Sequence, residues 1–161
     1  KQSDQNEAKA SQSITVYIGE NGKVFYGEGV LKPEDPKWLH ETNWGKDGLR
    51  KELRYHEVEG YPNAPVDEIM KAKAKLDAQK AADPKKYTQE VYDKELDDLK
   101  SGIVNGQKIP TLTVVIKPTD NASYKNLIDA LDEIQICSIG TYVIDKLNPQ
   151  EKEMLAKRGI K

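Results

Sequence analysis

Apolar and polar positions follow two periods along this chain, and the two meet without a break between Pro110 and Asp145. Residues 111–117, TLTVVIK, form a short β-branched apolar run closed by Pro118, which predicts a buried strand. Asp120, Asn121 and Ser123 each offer a side-chain oxygen to the free N–H groups of a helix start. From there the apolar residues fall at Tyr124, Leu127, Ile128, Leu131 and Ile134, one stripe at helical spacing, while Lys125, Asp129, Asp132 and Glu133 take the water side. The pattern breaks after Cys137, Gly140 supplies a joint, and residues 139–144 return as a strand. Strand, helix, strand at this length predicts a right-handed crossover between two parallel strands.

Upstream, residues 14–26 alternate around Asn21-Gly22, a strong hairpin signal. A two-residue loop there pairs Tyr17 with Tyr26 and Ile18 with Phe25. It sorts Ile14, Val16, Ile18 and Phe25 onto the core face and Tyr17, Val24 and Tyr26 onto the other. Residues 27–44 show neither period and read as an irregular excursion anchored by Trp38 and Trp44. Residues 47–58 predict a helix with Leu49 and Leu53 inward. Residues 66–82 form a helix on propensity with a thin apolar side of Val66, Ile69, Met70 and Leu76. It stops at Asp83-Pro84, and Thr88 caps a second helix carrying Tyr92, Leu96 and Leu99. These two predict a helical hairpin set on the domain's edge. Asn148, Pro149 and Glu151 stand as cap, first-turn proline and third helical residue of a last helix that ends at Gly159.

The fold expected is α+β, a small mixed β-sheet made of a hairpin and a parallel strand-helix-strand crossover. Two helices lie on one face, and a helical insertion occupies residues 62–108. Residues 1–13, KQSDQNEAKASQS, carry no apolar period and read as a flexible tether, leaving 14–161 as the domain.

Composition narrows the function. A net charge of -2 provides no basic field for nucleic acid or an anionic membrane surface. No run approaches the roughly 20 apolar residues that cross a bilayer. The start at Lys1 suggests that something N-terminal to it has been removed. A metal centre needs converging ligands, and the two histidines, His40 and His56, sit in segments of different character, so they read as surface or half-buried residues. Cys137, the lone cysteine, reads as a small core hydrophobe without a neighbouring base. Asp132 and Glu133 are adjacent, point in different directions on a helix and read as a solvated edge. No Gly-rich phosphate loop follows a strand. These readings point away from an enzyme, a cofactor and a metal.

The stretch VVIKPTDNASYKNLIDALDEIQICSIGTYVI closely resembles the periplasmic domain of the ExbD/TolR family, in particular the ExbD-like biopolymer transport proteins of Bacteroidota. Val114, Val115, Ile116, Asp120, Tyr124, Leu127, Leu131, Cys137, Gly140 and Tyr142 occupy the positions of the family pattern, ITVYIGENGKVFYG resembles its opening hairpin, and GLRKEL its first helix. The family's N-terminal membrane helix with its acidic residue is absent from this sequence, and the segment 62–108 is longer than in short members. The resemblance implies the periplasmic domain of an inner-membrane protein of a Gram-negative bacterium. It implies ExbB-like channel subunits met through the absent helix, a TonB-like partner that opens outer-membrane transporters, and a homodimer. It also admits a TolR-like role in envelope maintenance through contact with peptidoglycan. Such a domain acts by strand pairing, so the expected partner site is an open sheet edge. The last strand, Ile139, Thr141, Tyr142, Val143 and Ile144, and the hairpin strand, Ile14, Val16 and Ile18, are the candidates, with a second copy of the domain and the tether as competing occupants.

Overall fold

The computed structural model of the protein describes residues 10–161, so most of the tether lies outside the described residues. Its last part is held. The Gln12 carbonyl accepts from the Thr113 N–H, the Ser11 carbonyl meets the His56 ring, and Ser13 already belongs to the first strand. Strands β1 (Ser13–Ile18), β2 (Val24–Glu28) and β3 (Leu39–Thr42) come first, then helices α1 (Leu49–Arg54), α2 (Pro65–Ala82) and α3 (Gln89–Lys100). A small ribbon, β4 (Ile103–Val104) with β5 (Gln107–Lys108), leads to β6 (Thr113–Pro118), α4 (Tyr124–Ile136), β7 (Thr141–Ile144) and α5 (Pro149–Lys157).

The main sheet has the order β3-β2-β1-β6-β7, with β1, β6 and β7 parallel and the first three strands antiparallel. The α+β class and the crossover from β6 through α4 to β7 are as the hydrophobic pattern predicts. Strand β3 is an addition. Its sequence, LHET, buries only Leu39 and shows no alternation that separates it from the irregular stretch around it.

The hairpin register differs from expectation by one residue. Ile18 stands opposite Val24 and Tyr17 opposite Phe25, and residues 19–23 form the loop, with Asn21 and Gly22 left-handed at φ 58° and 77°. The Gly19 N–H closes this loop on the Lys23 carbonyl at 2.9 Å. A slip of one residue exchanges the faces of β2. Val24 and Tyr26 therefore join Ile14, Val16 and Ile18 in the main core, while Phe25 turns to the opposite face with Tyr17. Alternation had no power here because Val24, Phe25 and Tyr26 are apolar in succession and both faces of the hairpin are buried.

The main core lies between the sheet and helices α1 and α4, with Leu49, Leu53, Val114, Ile116, Ala130 and Ile134 at its centre. On α4 the buried side is rotated from the apolar stripe. Asn126, Ala130, Glu133 and Ile134 are buried, Leu127, Ile128 and Leu131 are half-buried, and Tyr124 is exposed. Ile134→Ala is expected to cost about 2 to 5 kcal/mol in denaturant titration and Leu131→Ala roughly half as much, since only the first leaves an enclosed cavity.

The far face of the sheet carries a second cluster, Tyr17, Phe25, Trp38 and Leu39, covered by Met154 and Leu155 of α5. Helix α5 begins with the full capping box expected of Asn148 and Glu151. A third cluster, Ile69, Leu76, Leu99 and Ile109, joins α2, α3 and the chain just before β6, while Val66 and Met70 of α2 reach into the main core. Among the described residues no helix is long and apolar enough to cross a membrane.

Candidate functional site

Of the two candidate strands, only β7 lies at a margin. Strand β1 is central, hydrogen-bonded to β2 on one side and β6 on the other, and Ile14, Val16 and Ile18 are fully buried. It has no free edge, which corrects the expectation for those three residues. Proximity to the tether was the wrong guide, because β6 arrives from far along the chain to take the place beside it. Ile139 also leaves the candidate set. It is buried in the main core, where the turn after α4 carries it inward.

That turn has a specific construction. Ser138 is left-handed at φ 56°, and the Ile139 N–H donates back to the Ile134 carbonyl at 3.1 Å, closing the helix end as a glycine commonly does. Gly140 follows under a steric limit, since a Cβ there would lie 2.9 Å from the Lys100 carbonyl oxygen. The end of α3 thus abuts the start of β7 and helps set the edge strand.

The four residues of β7 are all exposed, Tyr142 at 50%, Val143 at 46% and Ile144 at 46%. Their ladder partners Val114 and Ile116 are wholly buried, so Tyr142 and Ile144 extend a core row into solvent. The Asp145 N–H donates to the Ile116 carbonyl at 2.9 Å. Backbone groups of alternate residues point to the same side of a strand. Those of Thr141 and Val143 therefore face β6, and those of Tyr142 and Ile144 face outward, where no strand among the described residues pairs with them.

The other margin, β3, is blunted. His40, Glu41 and Thr42 are polar, His40 stacks on Tyr26 at 5.0 Å, and Arg158 donates to the Leu39 carbonyl at 3.3 Å. Charge and cover are the usual protections of a sheet edge. Strand β7 carries neither within its own four residues.

Most of the candidate polar side chains are tied into structure. Glu133 is buried, not solvated, because it meets Arg50 in a two-pronged pair at 2.7 and 3.0 Å, joining α4 to α1. Asp132 stays exposed, so the two adjacent carboxylates share nothing. His56 is more buried than expected, between the Ser11 carbonyl and Glu28, whose carboxylate lies 3.6 Å from Nδ1. Burial raises Asp67, but hydrogen bonds from Arg54 and Lys71 outweigh it and hold the carboxyl below its usual range. Across the sheet, Glu151 accepts from Tyr17 and pairs with Lys117 at 2.6 Å, and burial first, then this carboxylate, raises the Tyr17 phenol so that it remains a neutral donor.

Burial pushes the Cys137 thiol up to about 12, with Glu133 adding to the effect. A thiolate is the reactive form. Labelling of Cys137 by a thiol reagent at pH 8 is therefore expected only at the rate of unfolding, and fast labelling of the native chain would place the thiol elsewhere. Among the described residues no three His, Cys, Asp or Glu side chains converge to hold a metal ion. Among the described residues the larger clefts include one of about 920 Å³ lined by α2, α3 and the β4–β5 ribbon and one of about 810 Å³ beyond the end of β7. Both are open.

A family model described as "Biopolymer transport protein ExbD/TolR" matches residues 1–146. No curated protein and no solved structure matches the chain.

Proposed function

Since that match makes the chain a member of the ExbD/TolR family of biopolymer transport proteins, we propose that it is the periplasmic domain of an ExbD-like subunit that takes an extended segment of a TonB-like protein along β7. Family members are anchored in the inner membrane and work in complexes with ExbB- or TolQ-like and TonB- or TolA-like proteins. The task of such a domain is to pass force between partners, and an added strand suits that task. Several backbone hydrogen bonds loaded together hold a segment without a deep pocket.

The observation that carries this reading is the asymmetry of the two sheet margins, β3 polar and capped by Arg158, β7 largely apolar and, among the described residues, unpaired on its outer side. The insertion over 62–108 is in this reading an elaboration that rests on the domain and steadies the start of β7 at Gly140.

Proline distinguishes ladder binding from mere surface contact. At Ile144 it removes an outward N–H and leaves the bond pattern to β6 intact, a placement that edge strands tolerate. Ile144→Pro is expected to keep the fold and lower affinity for the periplasmic segment of the TonB-like protein by about tenfold or more, a loss of at least about 1.4 kcal/mol. Tyr142→Phe, which keeps the backbone, should bind as the parent does. Calorimetric titration measures both, with purified peptidoglycan as a parallel arm. Undiminished binding by Ile144→Pro sinks the edge reading, and binding of peptidoglycan alone moves the function to envelope maintenance.

A further inference from the structure

The cleft of about 810 Å³ begins where β7 ends. Ile144, Leu147, Leu155 and Ile160 give it an apolar lining, and Lys146 and Lys152 stand among its polar residues. Much of this wall comes from residues past 146, beyond the stretch that the family match covers. The cleft therefore belongs to this chain's C-terminal segment as much as to the shared domain.

Three features point to an occupant. Leu147 and Ile160 are only half-buried although they pack on the second core cluster, so their outer sides lack cover. Lys146 and Lys152 make no ion pair among the described residues, although the carboxylates of Asp120 and Asp145 share the wall, Asp145 accepting from the Lys146 N–H at 2.8 Å. Thr119, on the same wall, has a buried hydroxyl oxygen with no hydrogen-bond partner. The cleft also lies at the C-terminal ends of β6 and β7, since Pro118, Thr119 and Ile144 line it. A strand laid parallel to β7 delivers its own C-terminal continuation there.

We propose that this cleft is a socket for the continuation of the partner's added strand. It takes an extended peptide that places an apolar side chain on Leu147, Leu155 and Ile160 and a carboxylate between Lys146 and Lys152. This rests on the reading of β7 as the docking edge and adds a sequence requirement to it. The partner segment must be apolar opposite Tyr142, Val143 and Ile144, and then apolar and acidic just beyond.

Two synthetic peptides test it by amide chemical shifts of the isotope-labelled chain. The first copies residues 111–117, the run that contains the parallel ladder partner of β7 on its inner side. The second is the same peptide extended at its C-terminus by Ser-Leu-Glu-Glu. Both should shift residues 141–144, and only the extended one should shift Lys146, Leu147, Lys152 and Ile160. Its affinity should be about tenfold higher, in line with one further apolar side chain and one charge contact. Lys152→Glu, at an exposed position, should remove most of that gain and leave the short peptide's affinity unchanged. Equal affinities with the shifts at 141–144 retained overturn the socket and leave the edge standing, as does a gain untouched by Lys152→Glu. Absence of shifts at 141–144 with either peptide overturns the edge reading and the socket with it.

Discussion

Arg50→Ala is expected to lower the folding free energy by about 3 kcal/mol, several times the effect of removing a surface ion-pair partner. The reason is the unequal burial of the pair. The Glu133 side chain is 8% exposed and the Arg50 side chain 27%. Without Arg50, a carboxylate is left in the contact between α1 and α4 with no cation to meet it, and the desolvation cost of that charge goes uncompensated. Removing the other partner is milder, because Arg50 reaches enough solvent to be hydrated. Glu133→Gln, which keeps the shape and one acceptor, should therefore cost about 1 kcal/mol. Urea titration of both variants measures the asymmetry. Equal losses would mean that the pair acts as an ordinary surface bridge.

Trp38→Ala should cost about 3 to 5 kcal/mol, the range for emptying a large aromatic site. Trp38 covers the far face of the sheet, edge-on to Tyr17 at 6.3 Å, and donates its indole N–H to the Glu28 carbonyl at 2.9 Å. It lies directly on Gly27, where a Cβ would come within 2.3 to 2.5 Å of three ring atoms. Gly27→Ala alone must therefore displace the ring and should be destabilising by about 2 kcal/mol or more, as overpacking is. In the Trp38→Ala background the obstruction is gone, and Gly27→Ala should add less than about 1 kcal/mol. This non-additivity, read by thermal or denaturant unfolding, is the signature of a glycine retained for contact. Additive losses would show that Gly27 acts through backbone freedom alone.

The residues that resist sequence reading share a property. Glu133 belongs to the polar side of its helix by every local criterion, and its burial follows from Arg50, eighty-three positions away. Ile139 sits within a β-branched run and still turns inward, because Ser138 adopts the left-handed conformation with no glycine to announce it. The mostly polar tetrapeptide of β3 becomes a strand only because β2 offers it a free side. In each case the deciding partner is remote in sequence.

What the sequence determined by itself is what short-range physics can carry. Helical spacing from Tyr124 places α4, the β-branched runs on either side place β6 and β7, and Asn148, Pro149 and Glu151 place the start of α5, since a cap or an amphipathic stripe forms within a few residues. The pattern of residues 111–144 also carried the family resemblance. The tertiary structure alone decided the strand order, with β1 at the centre, the register of the hairpin, and which margin stays bare. An edge is defined by the absence of a neighbour, and absence of pairing is a property of the whole sheet. No segment encodes it, so Tyr142, Val143 and Ile144 come to lie exposed at a sheet margin only once every other strand has found its place.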